Sequence, residues 1–113
     1  MTPGDIVWLP FPHVEDNRMQ SRPALIVATG LGGALDLCWA LMVTAASNPA
    51  WPGDVMIADH EPTDLPVPSR IRTGKIATVA AAGATLVGRV PEDIWNDVRG
   101  RLAAALRLAA PRS

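Results

Sequence analysis

Arg22 stands immediately before an apolar run, and Pro23 fixes the chain direction just after it. A guanidinium is planar, always charged and carries forked donors, so it is the natural partner of a phosphate. The same position also suits a surface arginine that caps a strand end. Thr44 and Ser47 lie at the far end of a later apolar run. A hydroxyl there can donate to a phosphate oxygen, or the threonine can simply serve β-propensity. His13 sits in an early polar stretch close to Glu15 and Asp16. Its ordinary pKa allows proton transfer near neutrality, although a solvated loop histidine would look the same. Arg70, Arg72 and Lys75 form the densest basic run. Strand alternation places Arg70 and Arg72 on one face, which suits either a nucleic-acid backbone track or an ordinary exposed face.

Familiar catalytic signatures are absent. The histidines are His13 and His60 and the cysteine is Cys38, so no zinc-binding spacing exists. There is no G-x-x-x-x-G-K phosphate loop and no G-x-S-x-G elbow. Asp59 and Glu61 flank His60 on a proline-rich stretch, which reads as a solvated loop rather than a metal site. No metal and no cofactor is expected.

The elements that must carry these residues are short. Eleven prolines and nine glycines punctuate the chain at close spacing, as an all-β barrel or sandwich requires. Residues 5–11 (DIVWLPF) predict a first strand, with Pro10 marking an edge or a strand end. Residues 22–29 (RPALIVAT) predict a buried strand, and residues 36–46 a long third one carrying Trp39. A loop at 48–53 (NPAWPG) precedes a short strand at 54–58, and residues 60–68 form an extended connection. Residues 70–79 and 84–90 predict two more strands, with 77–84 open between strand and short helix. The end reads as an amphipathic helix. Pro91 fits its first position, Glu92 and Asp93 suit the positive end of its dipole, and Ile94, Val98, Leu102 and Leu106 form a stripe that Trp95 and Ala105 widen.

With 113 residues, the chain suits a single domain over 1–113 with one modest core, for which a second copy would supply missing burial. Hydrophobic residues make up 49% and charged residues 19%, an ordinary globular balance. The longest apolar stretch, residues 37–46, is too short to span a bilayer. Residues 1–5 carry no positive charge, so no secretory leader is expected, and the single cysteine suits a reducing cytoplasm. Cys38, within an apolar run, is expected in the core. The net charge of −1 conceals an asymmetry: residues 1–64 hold two basic and eight acidic residues, and residues 65–113 hold eight basic and three acidic. Any basic footprint for nucleic acid must therefore be local.

The order of these features resembles the MazF/PemK toxins. Gly4-Asp5-Ile6-Val7-Trp8 followed by Phe11-Pro12 resembles their opening strand and turn, and Arg22-Pro23-Ala24-Leu25-Ile26-Val27 resembles their second strand. Val43-Thr44 ends a third strand where the family places a threonine or serine. Ser69-Arg70-Ile71-Arg72 with Lys75-Ile76, and then Leu86 to Val90 with the closing helix, are similar to the later elements. The likeness spans nearly the whole chain and rests on order and spacing rather than on any one motif.

That resemblance implies a mainly β fold with a C-terminal helix, an SH3-like barrel. It implies a cytoplasmic homodimer, the toxin of a type II toxin–antitoxin pair, whose cognate antitoxin covers the active groove with a disordered tail. It also implies metal-independent cleavage of single-stranded RNA through attack by the RNA's own 2′-hydroxyl. Arg22 and Thr44 become the catalytic pair, with Ser47 a substitute for the strand-end hydroxyl; the resemblance does not oblige His13, which stays a catalytic or substrate-contacting candidate on its own chemistry. Arg18, Arg70, Arg72 and Lys75 become the RNA-binding cations. Two departures stand out. The first loop reads FPHVEDNRMQS where many members carry G-S-E-Q, and Ala45 follows Thr44 where many carry a second hydroxyl. The alternative is a CcdB-like toxin that binds gyrase, or a non-catalytic barrel, on the same fold.

Overall fold

The computed structural model describes residues 1–12 and 19–107, with side chains from residues 1–10 and 21–107. Six strands alternate along the chain: β1 (Asp5–Pro12), β2 (Met19–Leu31), β3 (Leu37–Ala45), β4 (Val55–Ile57), β5 (Ser69–Ala80) and β6 (Thr85–Arg89). One helix, α1 (Glu92–Ala105), closes the described chain. The strands form a single curled antiparallel sheet in the order β4-β5-β3-β2-β1-β6, a half-barrel.

Two apolar clusters, one on each side of the sheet, explain why the strands read as continuous apolar runs. On β2, Leu25 enters one cluster while Ala24 and Ile26 enter the other, and on β1 Ile6 and Val7 divide in the same way. A strand buried on both faces has no polar side to alternate with. The first cluster gathers Ile6, Leu25, Leu41, Val43, Ile57 and Ile71 under α1, which contributes Val98, fully buried, with Ile94, Trp95 and Leu102 beside it. The second is built from smaller residues, among them Ala24, Ala40 and Cys38. Cys38 is wholly buried, and that burial pushes its thiol pKa up, so it behaves as a core residue.

Several sequence expectations need correction. Pro91 is not the first helical residue but the N-cap, with an extended ψ of 156°, and the helix starts at Glu92. The helical stripe ends at Leu102, because Leu106 lies beyond the last turn and is exposed. Residues 77–84 divide rather than choose: β5 runs to Ala80, and a 3₁₀ turn takes Ala81–Gly83. Pro10 sits in a strand with neighbours on both sides, yet β6 pairs with β1 only from Asp5 to Trp8, so Pro10 occupies the unpaired margin where a missing N–H costs nothing.

Two glycines fix how the connections lie. Gly4 has φ +97°, and its Cα side packs against the Arg89 guanidinium, which in turn donates to Asp5 at 2.9 Å. Thr2 N–H also donates to Asp5, at 2.7 Å. Burial pushes the Asp5 carboxyl up, but the Thr2 amide and Arg89 outweigh it and hold the pKa below its ordinary value. Gly88 on β6 lies directly beneath the backbone of Thr63, so that any Cβ there would overlap the Thr63 carbonyl. Thr63 is fully buried in the 3₁₀ turn Glu61–Thr63 and donates its hydroxyl to the His60 carbonyl. The connection from residue 60 to 68 is thereby pinned against β6.

Gly88→Ala is expected to lower stability by about 1–3 kcal/mol, the usual cost of forcing extra volume into packed structure. Gly100, on α1, has nothing within reach of an added Cβ, so Gly100→Ala is expected to be neutral or stabilising. Urea midpoints at unchanged slope will separate the two; equal shifts would contradict the close approach at Thr63. Asp5 yields a pH signature. Because its folded pKa is depressed, its stabilisation is present above about pH 3.9 and is lost as pH falls through the folded value. Asp5→Asn is expected to lower stability at pH 7 and to flatten the acid limb of the stability profile.

Candidate active site

Pro23 has no N–H to give either neighbouring strand. The β2/β3 ladder ends one residue further on: Leu25 pairs with Leu41, Ala24 with Met42, and no pair precedes Ala24. Beyond that point β2 continues on β1 alone, with Arg22 opposite Leu9, while β3 continues on β5 alone, with Thr44 opposite Arg70. The strands part, and a cleft of about 250 Å³ opens between them. Extending the register of the last two ladder pairs sets Arg22 opposite Thr44, two residues past Ala24 and Met42 and on the same face.

Both residues line the cleft, along with Trp8, Ser21, Pro23, Val43 and Ala45. The far wall is Leu65, Pro66 and Val67 from the pinned connection and Ser69 at the start of β5. A backbone bond from Ala46 N–H to the Pro68 carbonyl, at 2.9 Å, ties that wall to the end of β3. The Thr44 hydroxyl accepts from the Asn48 side-chain amide at 2.5 Å, which occupies a lone pair and leaves its O–H to donate. Arg22 is exposed at the rim and Thr44 half-buried. Arg22 is the one charged residue among the described residues that line this cleft.

The remaining sequence candidates are distributed unevenly. His13 and Arg18 lie outside the described residues. Ser47 is exposed in the turn after β3 and is not part of the cleft lining. Arg70 is half-buried beside Thr44, its Nε donating to the Ala46 carbonyl at 3.2 Å, and Lys75 is exposed. Arg72 does not match the picture of an exposed track. Its side chain is 8% exposed, and it donates to Asp54 at 2.9 Å and to the Pro49 carbonyl at 3.0 Å. Its guanidinium lies 4.1 Å from the centre of the Trp51 ring. The arginine is committed to holding the 46–54 loop onto β5, and that loop supplies Asn48 to Thr44. Trp8, Ser21, Ser69 and Asn48 were not foreseen as site residues. The turn sequence Asn48-Pro49 marks a loop but carries no sign of which side chain the asparagine meets. Among the described residues no group of histidine, cysteine, aspartate or glutamate could hold a metal ion, and no helix is long and apolar enough to cross a membrane.

A family model described as PemK-like, MazF-like toxin of type II toxin-antitoxin system matches residues 2–106. Solved structures share the fold. A MazE-MazF crystal structure (Form-II) from Deinococcus radiodurans superposes with a TM-score of 0.70 at 23% identity, over 96% of this chain and 97% of that one. MazF (Form-I) from the same organism gives 0.70 at 26% identity, over 94% and 96%. An endoribonuclease in complex with its cognate antitoxin, from a mycobacterial species, gives 0.70 at 18% identity, over 98% and 99%. Curated protein sequences return no match.

The buried pair gives a contrast that stability measurements can read. Arg72→Met strands the Asp54 carboxylate, which is 4% exposed, and is expected to cost about 3–5 kcal/mol. Arg101→Ala removes an exposed ion pair to Asp97 one helical turn away and is expected to cost about 0.5 kcal/mol or less. Comparable losses from both would mean that Arg72 does not anchor the loop.

Proposed function

Because the chain belongs to the PemK-like, MazF-like toxin family of type II toxin–antitoxin systems, we propose that it is an endoribonuclease that cleaves single-stranded RNA in the cleft where β2 and β3 part. One observation carries this reading: Arg22 and Thr44, far apart in sequence, line the same opening from facing strands. An arginine and a threonine lining one small volume suit a phosphodiester.

RNA brings its own nucleophile. The 2′-oxygen attacks the adjacent phosphorus, its proton leaves to a base, and the bond to the 5′-oxygen breaks as that oxygen takes up a proton. A cyclic phosphate and a 5′-hydroxyl remain. Arg22 holds the phosphate and stabilises the charge that builds on its oxygens, an electrostatic contribution that is often the largest single one in catalysis. Thr44, its lone pair engaged by Asn48, donates its O–H to a phosphate oxygen. The described cleft lining contains no histidine or carboxylate, so His13 remains the proposed proton acceptor from outside the described residues. Arg70 and Lys75 flank the strand that carries Thr44 and are proposed to meet neighbouring phosphates. We extend the proposal to a cytoplasmic homodimer held in check by an antitoxin. Solved structures of a MazE-MazF complex and of an endoribonuclease with its cognate antitoxin support such a partner. Trp39 and Ile76, exposed on one side of the neighbouring strands β3 and β5, offer apolar surface to a second copy.

Incubation with a long RNA in EDTA is expected to yield a limited set of fragments. Arg22→Ala is expected to lower the cleavage rate about 100- to 1,000-fold with the fold intact. Thr44→Val is expected to slow it as well, and Thr44→Ser to restore it. A 2′-deoxy sugar at the cut site should block the reaction; cleavage there would remove the 2′-hydroxyl mechanism. Growth arrest without RNA cleavage would favour the gyrase-binding alternative.

A further inference from the structure

Trp51 lies in the loop after Thr44 and is 45% exposed although it is the largest side chain there. The loop is not slack. Trp51 N–H donates to Asp54 at 2.9 Å, Asp54 N–H returns a bond to the Trp51 carbonyl at 3.1 Å, and Arg72 holds the Pro49 carbonyl. The Arg72 guanidinium lies over the indole at 4.1 Å, which fixes the ring's plane while leaving nearly half the residue in solvent. An exposed aromatic held rigid costs little conformational entropy when something stacks on it.

Its place on the sheet matters. Met42 pairs with Arg72 and Thr44 pairs with Arg70, so the Trp51–Arg72 stack sits one same-face step from the Thr44–Arg70 pair, about 7 Å along the strand. The β3/β5 register then jumps from Met42–Arg72 to Leu41–Ile76, so that residues 73–75 bulge from β5. Thr73 ties the bulge to the Gly53 carbonyl at 2.7 Å, and Lys75 is carried to 5.8 Å from the Trp51 ring centre. Bulges commonly re-aim side chains beside active sites. Here the result is an indole with the Lys75 ammonium as well as the Arg72 guanidinium over its ring, one same-face step from the Thr44–Arg70 pair.

We propose that Trp51 is a nucleobase-stacking subsite, taking a base next to the scissile phosphate while Lys75 meets that nucleotide's own phosphate. The ligand is single-stranded RNA, and recognition here is through the π-face of the base, which tolerates any sequence. This rests on the RNA-cleaving reading above. It adds a residue that anchors substrate rather than one that does chemistry.

The test is direct binding to a fluorescent, randomised 2′-O-methyl RNA of about 12 nucleotides, within the span such grooves take. It lacks the nucleophile, so binding is read without cleavage. Trp51→Leu is expected to raise Kd roughly 5- to 140-fold, the range contributed by one base–aromatic stack. Trp51→Phe, which keeps a π-face, should stay within a few-fold of wild type, and both variants should retain the wild-type circular dichroism spectrum. Lys75→Gln should weaken binding and reduce its salt dependence. Wild-type-like binding by a folded Trp51→Leu overturns the subsite alone, as does equal weakening by Leu and Phe. Failure of the wild type itself to bind overturns the RNA reading and the subsite together.

Discussion

The arrangement depends on where one hydrogen-bond ladder stops. A β2/β3 ladder that ran to the strand ends would seal Arg22 and Thr44 side by side on a continuous sheet, with no opening between them. Pro23 supplies no amide hydrogen, and the last pair is Ala24 with Met42. Each strand then keeps only its outer neighbour: β2 stays on β1 and β3 stays on β5. The opening is rigid because each wall is still half of a ladder. Side chains on such walls are held more precisely than loop residues would be. The R-P dipeptide is therefore one device, with proline ending the pairing and arginine standing at the mouth it creates.

A second constraint sits behind the first. The 46–54 loop must return from β3 to β4, and it does so over a buried ion pair between Arg72 and Asp54. Taking both charges out of water is expensive, and attraction repays it only with further hydrogen bonds. Arg72 obtains one from the Pro49 carbonyl and stacks on Trp51, while the second Asp54 oxygen is buried without a partner among the described residues. Such a pair adds little net stability over an apolar substitute, but it fixes the geometry of the loop. The loop's dependents are Asn48, which orients the Thr44 hydroxyl, and Trp51, whose ring plane is set by the arginine.

How far this was legible from the sequence divides along physical lines. The succession of strands along the chain and the terminal helix follow from local signals, apolar runs and proline and glycine punctuation, whereas the pairing of Arg22 with Thr44 comes from the spacing of a known family. The meaning of the Gly-Asp opening was less visible, since Gly4 and Asp5 act through Arg89 at the other end of the chain. The basic run was misjudged at Arg72. Alternation places it correctly on the face it shares with Arg70, but alternation cannot show that a loop folds down over one of two neighbouring cations. Gly88 carried no local sign of the Thr63 backbone above it, Ser69 joins the site only through long-range closure, and Asn48, four residues from Thr44, gave no sign that its side chain turns back onto that hydroxyl. Misses cluster where a connection, rather than a strand, determines burial.

Charge shows what that closure accomplishes. The chain's net charge of −1, with an acidic first half and a basic second half, argues weakly for any polyanion. Antiparallel pairing redistributes it. β3 comes from the acidic half and β5 from the basic half, and their ladder sets Arg70 directly beside Thr44. Arg22 faces them from β2, and the bulge carries Lys75 to the next step of the same face. Among the described residues the cations gathered around the cleft are few, and Arg72 is paired with Asp54. A surface of this kind releases few counterions on binding, so its affinity should depend only modestly on salt. What it lacks in long-range attraction must come from contacts that charge does not supply. In the proposed reading the aromatic ring of Trp51, one same-face step from Thr44, provides one, which gives a physical reason for a tryptophan to stay in solvent where burial would otherwise be favoured.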